Sequence, residues 1–503
     1  MKHTRLLSFS SLLILAFLLP LAHWAQYQTP NTGVNWDMGD LVAASGGTVT
    51  GNATGGYLIH DDLILSETDT LNIAGGVLIA VNNAEALMEI YGTLYLGEEG
   101  SSTTIFPFSS IETYEGWRFE STSTVLIESV DFEGGGGLKV LTENFTIRYS
   151  GVNEQQHIAT NNAALEFFGG SPVVFFCDFQ DNQGSAISTP SNIPCSPLIT
   201  SCVFVNNNTE NTNRPQINLG PSLPDVPTIL NNVIVSSDGL YDQVGGIACA
   251  SLFGDPSSYI VQNSQINMNR YGLAFIGGNI DATVYTSAFT DNDIQGDPLL
   301  GGSGINLNGT ASSSALLYDN YFAGNLWGIT VQNDFQLDLG NPDITADSPG
   351  NNTFSENGNG GVTYALYNNT PSPIPAVNNC WIEGQISLYE EIEEVIYHEL
   401  DDASLGFVDY SFAQCAVGVG LEENTAQAMT VYPSPASSEI RVILPPAFQM
   451  GDIEIIDLNG RSIKTVQNVR SEMAIDVSDL EPGTYLISLS KDKEAVQQLI
   501  LID

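Results

Sequence analysis

One short pattern recurs through the middle of the chain and constrains its fold more than any other feature. Its copies start 23 to 33 residues apart. The third position of each copy is Phe or Ile, and the sixth is Asn in six of the seven copies, with Ser237 as the exception. The copies are CDFQDN at 177, CVFVNN at 202, NVIVSS at 232, SQINMN at 264, SAFTDN at 287, NYFAGN at 320 and NTFSEN at 352.

This pattern is explained if each copy is one coil of a parallel β-helix. Equivalent residues of neighbouring coils then stack about 4.8 Å apart, so the apolar position forms an interior column. The Asn side chains lie in a turn, hydrogen-bond from coil to coil and tolerate a left-handed backbone. The predicted column is Phe179, Phe204, Ile234, Ile266, Phe289, Phe322 and Phe354, and the predicted ladder is Asn182, Asn207, Asn269, Asn292, Asn325 and Asn357.

The alternative fold is an antiparallel sandwich, which would show Asn-Gly hairpin turns at a spacing of about 8 to 12 residues. Here equivalent positions return once per coil, and second strands such as YGLAFI, SGINLN and WGITVQ follow most copies. Upstream, GYLIHDDLILSETDTLNIAGGVLIAV, EIYGTLYLGEEGSSTTIFPFSS and YEGWRFES have the same rhythm of strands and turns. This stretch resembles the first coils of secreted right-handed β-helix proteins of the pectin-lyase-like class. We therefore predict an all-β chain with a right-handed parallel β-helix solenoid over 26–382.

The N-terminus indicates export. Lys2 and Arg5 precede a short apolar run that ends at small residues near Ala25, which is typical of a secretory signal peptide over 1–25. A membrane anchor is the alternative, but the run from Leu12 to Leu21 is short for a membrane span and no basic cluster follows it. The mature chain is expected to begin at Gln26 and to contain no transmembrane segment.

The charge of the chain excludes one class of partner. The sequence has 58 acidic and 13 basic residues, a net charge of −45. Nucleic acid needs clustered Lys and Arg and is excluded, and polyanionic sugars are disfavoured. The acidity serves solubility, or some carboxylates bind calcium. Between positions 26 and 428 the basic residues are Arg118, Lys139, Arg148, Arg214 and Arg270.

Six cysteines show no CxxC pair and no zinc-ligand spacing to His, so a zinc finger is not expected. Cys177 and Cys202 hold the same position in consecutive copies. Stacked one coil apart, they would either form a disulfide or remain a reduced pair of small buried residues. The sequence leaves both alternatives open.

The segment 383–415 follows the last copy and lacks Lys and Arg. We interpret it as a cap, because an uncovered last coil would offer unpaired backbone groups to other chains. The strings NNCW, HELDD and GFVDY resemble the closing segment of bacterial β-helix repeat proteins. Asp401, Asp402 and Asp409 could bind a cation there, but a cap held by turns and hydrogen bonds is favoured.

A linker, 416–428, precedes a tail of alternating apolar and polar residues, which predicts a small antiparallel β-sandwich over 429–503. Three segments, YPSPAS at 432, IIDLNGRSI and DLEPGTYLISL, resemble the type A sorting domain of type IX secretion cargo in Bacteroidetes-like bacteria. The matching residues are Tyr432, Pro433, Pro435, Ala436, Asn459, Gly460, Pro482, Gly483 and Tyr485. The tail departs from the family pattern at Ser434 and at the acidic terminus Asp503.

The resemblance implies a route and a location. The chain would leave through the periplasm, be recognised by the type IX secretion machinery through its tail, and lose that tail. The product would be secreted or attached to the outer cell surface.

No catalytic residue is predicted. The segments NTD, GHG and RIK of polygalacturonase-like hydrolases do not occur, and His60, His157 and His398 are scattered with no nucleophile signature beside them. Pectate-lyase-like elimination needs an Arg or Lys to take up a proton, and Lys139 and Arg148 could lie on neighbouring strands, but solvated surface charges are the favoured alternative. In the run DNDIQGD, the carboxylates Asp291, Asp293 and Asp297 could hold calcium, with a solvated turn as the alternative. Trp327 and Tyr321 could stack on a sugar ring, although packing between coils is the more common role.

Two functional hypotheses follow. The first is a non-catalytic module that binds extracellular glycans, adheres to other cells or has a structural role. The second is a polysaccharide lyase or glycoside hydrolase with an unrecognised active site. The missing motifs and the scarcity of basic residues favour the first, with no cofactor expected apart from the calcium considered above.

Overall fold

The structure is a computed structural model that describes 26–341, 348–360, 362–385 and 388–415, and in the tail 430–432, 436, 438–444, 450–457, 461–470, 473–480, 483–491 and 494–502. The chain divides into two compact units, Met1–Val417 and Gly418–Asp503. The predicted signal peptide and the predicted linker lie outside the described residues.

The first unit is a parallel β-helix, as predicted. The chain passes in turn through three sheets, A, B and C, and returns to sheet A one coil further along. Parallel pairing holds for the described strands of these sheets except for the first pair of sheet C. Each strand therefore pairs with strands one coil before and after it, which is what a repeat of 23 to 33 residues requires.

The strand bounds are as follows. Sheet A has 14 strands: Tyr27–Gln28, Leu63–Leu65, Leu87–Ile90, Gly116–Phe119, Leu138–Val140, Ala163–Phe167, Ser185–Ser188, Pro215–Leu219, Gly245–Ser251, Leu273–Gly277, Ser303–Gly309, Trp327–Asn333, Leu366–Asn369 and Ile396–Tyr397. Sheet B has 12: Asn35–Asp37, Thr70–Ile73, Thr93–Gly97, Thr124–Glu128, Asn144–Arg148, Val173–Phe175, Leu198–Thr200, Thr228–Asn231, Ser257–Gln262, Ile280–Tyr285, Ser314–Tyr318 and Gln336–Asp338. Sheet C has 13: Val49–Asn52, Gly56–Ile59, Leu78–Val81, Thr103–Pro107, Val130–Glu133, Gly151–Asn153, Asp178–Gln180, Val203–Val205, Ile234–Ser236, Gln265–Asn267, Ala288–Thr290, Tyr321–Ala323 and Thr353–Ser355.

The N-terminal end of the β-helix is closed by a helix, Met38–Ala44, which begins with a capping box between Asp37 and Asp40. Its residues Met38 and Leu41 are buried. A helix with one apolar face covers the first coil because its core would otherwise be open to water.

The N-terminal segment is fixed to the first coil by one carboxylate. Asp69 is buried and accepts hydrogen bonds from the backbone N–H groups of Asn31 at 2.9 Å, Thr32 at 3.0 Å, Gly33 at 2.9 Å and Val34 at 3.1 Å. Four donors compensate the loss of water around a buried charge.

The segment 383–415, predicted to be a cap, adds strands to the sheets of the last coils. It contains the helix Tyr389–Glu393, and Ile396–Tyr397 adds the last strand to sheet A. Val408–Asp409 pairs in parallel with Ile374–Pro375. A short antiparallel pair, Gly358–Asn359 with Val362–Thr363, lies nearby in the chain.

The interior column forms largely as predicted. Phe179 and Phe204 stack with their ring centroids 5.0 Å apart. Phe289, Phe322 and Phe354 continue the column at 5.3 and 5.0 Å. These spacings match the separation of neighbouring strands, so one ring per coil fills the core.

The predicted column was wrong at Ile234. Register places Val235 opposite both Phe204 and Ile266, whereas Ile234 pairs with Val203. Val235 is fully buried, and Ile234 is 39% exposed. Successive side chains of a strand point to opposite faces of the sheet. A repeat that is aligned with an error of one residue therefore assigns the wrong side chain to the core.

The Asn side chains of neighbouring coils form a hydrogen-bonded ladder. Asn292 donates from Nδ2 to the carbonyl of Ile266 at 3.0 Å and to Oδ1 of Asn325 at 3.1 Å. Its own Oδ1 accepts from the backbone N–H of Asn269 at 3.2 Å. Each amide thus pairs backbone groups that the turns leave unpaired, which is why the ladder can be buried.

The gap in the ladder at Ser237 is filled from sheet A. Oε1 of Gln216 accepts from the backbone N–H of Asn207 at 3.1 Å and from Nδ2 of Asn207 at 3.0 Å. Its Nε2 donates to Oδ1 of Asn269 at 2.9 Å and to the carbonyl of Ser236 at 2.7 Å. Gln216 aligns with Gly246, where an added Cβ would lie 3.3 Å from the amide of Asn269. The coil without an Asn therefore carries an amide where the next coil has glycine.

A second ladder was not predicted. Asn320, Asn352 and Asn379 follow the corner between sheets B and C, and Nδ2 of each of the first two donates to Oδ1 of the next at 3.0 and 2.9 Å. In earlier coils Cys177 and Cys202 hold this position as free buried thiols. The disulfide considered for them does not form. The bond in the structure joins Cys380 and Cys415.

The second unit has the predicted antiparallel architecture. One sheet contains Thr430–Tyr432, Glu439–Ile443 and Ala474–Asp476, and the other contains Ser462–Val469, Gly451–Asp457, Gly483–Lys491 and Glu494–Ile502. The pairs within both sheets are antiparallel. Alternate residues, including Ile440, Val442, Ile453, Ile455, Ile487 and Leu489, are buried in one cluster.

Candidate functional site

A groove on the outer face of sheet A has a volume of about 740 Å³. Its floor follows one outward-facing position of each strand, from Asn218 to Tyr367. The register of the strands aligns these residues in the order Asn218, Ala248, Ala274, Asn306, Thr330 and Tyr367. Six coils thus form the floor, which spans about 24 Å at the strand spacing of a sheet.

An aromatic platform closes one end of the groove. The ring of Trp327 lies 4.9 Å from that of Tyr364 and 5.2 Å from that of Tyr367, centroid to centroid. Tyr397 continues the platform, 5.1 Å from Tyr367. These four rings are partly exposed. The indole N–H of Trp327 donates to the carbonyl of Pro298 at 3.0 Å, which fixes the loop beside the groove.

The middle of the groove is apolar. Ala248 and Ala274 form its floor, while Leu252, Leu299 and Leu300 line its sides. The three leucines are 58%, 90% and 58% exposed. Their exposure gives the middle of the groove apolar sides.

Two arginines line the groove, Arg214 and Arg270. Neither forms an ion pair with a carboxylate among the described residues. By contrast, Arg118 pairs with Glu120 at 2.6 Å, and Arg148 pairs with Glu128 at 2.8 Å.

A smaller groove of about 240 Å³ adjoins the first and shares Arg214, Asn218 and Leu252 with it. It contains Glu166, whose Oε2 accepts from the backbone N–H of Asn161 at 2.8 Å. Burial raises the pKa of Glu166, although the Asn161 hydrogen bond and Lys139 partly oppose the shift.

The carboxylates predicted to bind calcium do not form a site. Asp291 has a left-handed backbone and is exposed, Asp293 is exposed, and Oδ1 of Asp297 accepts from the N–H of Leu299 at 2.9 Å. Within the described ranges there is no group of three or more His, Cys, Asp or Glu side chains arranged to hold a metal. The buried residue of that loop is Asn292, which belongs to the ladder.

The carboxylates of the last coil serve turns. Oδ2 of Asp401 accepts from the N–H of His398 at 3.0 Å, and Oδ1 of Asp402 accepts from the N–H of Ser404 at 2.9 Å. His398 is fully buried and accepts at Nδ1 from the N–H of Val408 at 3.0 Å. Its Nε2 lies 3.3 Å from Oε2 of Glu393. These contacts support the cap interpretation.

The other predicted site residues are separated by the fold. Trp327 lies in the groove, but Tyr321 is on sheet C, where its hydroxyl donates to Glu383 at 2.8 Å. Lys139 is on sheet A and Arg148 on sheet B, so they are not on neighbouring strands.

Sequence reasoning missed Tyr367 and the amides of the groove. The signal was present in the second strand of each coil, where SGINLN and WGITVQ alternate interior residues with Asn306, Thr330 and Gln332. Assigning those alternate positions to one surface needs the coil register, which varies with loop length.

Of the sorting-motif residues, Pro433, Pro435, Asn459, Gly460 and Pro482 lie outside the described residues. Ala436 and Tyr485 are buried in the core of the tail. Gly483 begins the strand Gly483–Lys491 of the four-stranded sheet, and Tyr432 ends the strand Thr430–Tyr432 of the three-stranded sheet.

Comparison with known families agrees with this architecture. Residues 430–503 match the family described as "Secretion system C-terminal sorting domain". Residues 206–384 match the family described as "Protein of unknown function (DUF1565)". No curated protein and no solved structure matches the chain.

The chain is thus a parallel β-helix protein that carries a C-terminal sorting domain of the Bacteroidetes type. The sorting domain implies recognition by the type IX secretion system and export, with secretion or attachment to the cell surface. Among the described residues, no helix has the length and apolar character needed to cross a membrane.

Proposed function

We propose that the groove on sheet A is a non-catalytic glycan-binding site. The observation that carries the proposal is the platform of Trp327 and Tyr367 at the end of a groove whose floor contains Asn306 and Thr330. Aromatic faces pack on the apolar faces of sugar rings, and amide and hydroxyl groups bind sugar hydroxyls. Gln332 and Asn369 add two further amides at the same end.

The chemistry of the lining favours binding over hydrolysis. Glycosidases use two carboxylates on opposite sides of the scissile bond. Of the described residues that line the large groove, none is Asp, Glu or His. The groove can therefore orient a sugar but has no pair of groups for acid and base catalysis.

One observation supports the alternative, a lyase. Glu166 in the adjoining groove has a raised pKa due to burial, and Lys139 and Arg214 lie near it. A carboxyl group with a raised pKa beside cations is a candidate for proton transfer. Glu166 is nevertheless a single carboxylate, and it already accepts a structural hydrogen bond from the backbone N–H of Asn161.

The test is to incubate purified protein with a panel of neutral, uronic acid and sulfated polysaccharides. Binding is measured by retention on the immobilised polymers, and cleavage by new reducing ends and by unsaturated products. We expect binding without products, and a weakening of about two- to tenfold in Tyr367→Ala, because one aromatic contact contributes about 0.5–1.5 kcal/mol.

Tyr321→Ala is the matched control, because Tyr321 is an aromatic residue on sheet C, outside the groove. Its affinity for the polymers should equal that of the unchanged protein. Release of products that Glu166→Gln abolishes would replace the binding proposal with the lyase. Absence of both binding and products would contradict both.

We further propose that residues 1–25 direct the chain into the periplasm and that the mature protein reaches the outer surface. The basic start and short apolar run of the N-terminus support the first step, and the sorting domain supports the second. In a bacterium with type IX secretion, removal of 430–503 should leave the protein in the periplasm. Surface or medium localisation of that truncated chain would contradict the proposed role of the tail.

A further inference from the structure

We propose that the natural ligand of the sheet A groove is an acidic glycolipid, which joins sugar, an acyl chain and a phosphate or carboxylate group. This inference rests on the proposed function and names the class of glycan. It is carried by three parts of the groove that a plain oligosaccharide would leave unused: an apolar middle, exposed leucines at the sides, and two arginines without a carboxylate partner.

The apolar middle fits a hydrocarbon chain. Ala248 and Ala274 are consecutive floor residues, so no large side chain rises from the sheet there. Leu252 lies at one side, after its strand, and Leu299 and Leu300 lie at the other, before theirs. An acyl chain lying between them would remove apolar surface on both partners from water.

The apolar side that carries Leu299 is held in place by polar contacts. The carbonyl of Pro298 accepts from the indole of Trp327 at 3.0 Å, and the carbonyl of Asp297 accepts from the N–H of Leu300 at 3.0 Å. Oδ1 of Asp297 is used within the same loop by the N–H of Leu299. The leucines are therefore exposed by a loop with a defined conformation, which a binding surface requires.

The charged residues of the groove favour a ligand that carries an anionic group. The chain carries −45, yet the lining of the large groove contains Arg214 and Arg270 and, in its described part, no carboxylate. Arg148, on sheet B, is paired with Glu128 instead. In an acidic protein, two arginines in one groove that form no ion pair with any described residue favour a ligand that brings the negative charge.

The parts are arranged along the groove in a consistent order. Arg214 and Arg270 precede their sheet A strands on the same side of the groove as Leu299, and they lie four and two coils before Trp327. The anionic group would meet the arginines, the acyl chain would lie on Ala248 and Ala274, and the sugar would reach the aromatic platform. A single anionic group is sufficient, so the low count of basic residues is no obstacle.

The test is titration calorimetry of the full chain with dodecyl phosphate, dodecyl maltoside, maltose and inorganic phosphate, each amphiphile below its micelle concentration. Dodecyl phosphate should bind most tightly, dodecyl maltoside about tenfold or more weakly, and maltose and phosphate weakest. Arg214→Gln with Arg270→Gln should abolish the preference for the phosphate, and Leu299→Ser with Leu300→Ser should weaken both amphiphiles at least tenfold.

Two matched controls separate the groove from general surface binding. Leu240 is 72% exposed but does not line the groove, and Arg148 is a cation on another sheet. Leu240→Ser and Arg148→Gln should bind all four probes as the unchanged protein does. If they weaken binding as much as the groove variants, the amphiphiles bind elsewhere and the inference is wrong.

The inference and the proposed function fail in different ways. Polysaccharide binding that depends on Tyr367, together with no amphiphile binding in the groove, would leave the glycan site intact and overturn the glycolipid. Amphiphile binding that is lost in the groove variants supports the glycolipid. If neither the polysaccharides nor the amphiphiles bind, both proposals are wrong.

Discussion

Replacing Gln216 with Ala should destabilise the β-helix by about 2–6 kcal/mol. The amide of Gln216 makes four hydrogen bonds in the fully buried ladder. Without it, the N–H of Asn207 and Oδ1 of Asn269 lose their partners, while the carbonyl of Ser236 keeps a bond from Asn206 at 3.2 Å. Each buried group left unpaired costs about 1–3 kcal/mol, which gives the range for two.

The assay is urea unfolding followed by circular dichroism and by tryptophan fluorescence. Long repeat arrays depart from two-state behaviour, so the two signals must coincide before a free energy of unfolding is extracted. Gln216→Met separates hydrogen bonding from volume, because methionine has a similar length and no amide. It should lose nearly as much stability as the Ala variant.

Gln243 provides the control, because it is an exposed glutamine one coil further along the chain. Gln243→Ala should change the free energy of unfolding by less than about 0.5 kcal/mol. If Gln216→Ala falls within the same limit, the amide does not complete the ladder, and the account of the gap at Ser237 is refuted.

Four other variants test the charges and the register. Burial raises the pKa of Asp69, but hydrogen bonds from the Thr29 hydroxyl and the backbone N–H groups of the N-terminal segment outweigh burial and lower the pKa overall. The stabilisation of the fold by ionised Asp69 should therefore be present above about pH 3.9 and be lost as the pH falls through the lowered pKa. Asp69→Asn should remove this pH dependence from the unfolding midpoint. Glu166 has a raised pKa, so the folded state loses stability as the pH rises from about 4.3, the pKa of an unperturbed Glu, through the raised pKa of Glu166. Glu166→Gln should therefore be more stable than the unchanged protein at pH 8 and not at pH 3. Ile234→Asp should be tolerated and Val235→Asp should prevent folding, because only Val235 is buried; equal thermal stability of the two would contradict the register.

The repeat made the fold predictable because it reports local geometry that recurs in every coil. Phe289 and Asn292 are three residues apart in one strand and turn, so their spacing carries the same meaning wherever it occurs. The prediction failed at Ile234, where Val233 and Val235 flank it and a shift of one residue fits the pattern equally well. An apolar run of three cannot by itself say which side chain faces the core.

The candidate site was predicted only in part. Trp327 was identified as an aromatic residue able to stack on sugar, but Tyr367 and the arginines of the groove were not connected with it. Arg214 and Trp327 are over a hundred residues apart in the chain, and only coiling brings them to one face. Calcium binding by Asp291, Asp293 and Asp297, the other alternative that the sequence offered, finds no support, because no group of three or more His, Cys, Asp or Glu side chains among the described residues is arranged to hold a metal.

The sequence by itself determined that the chain is exported, that its body is a parallel β-helix and that its tail is a sorting domain. These properties depend on residues within one coil or one short segment, whose spacing directly reflects strands and turns. Only the tertiary structure decided which residues share the groove on sheet A, that Gln216 completes the ladder, and that Cys380 and Cys415 form the disulfide. The residues in these relations lie on different coils. Because the loops between coils vary in length, the separation of two residues in the sequence does not show whether they lie side by side.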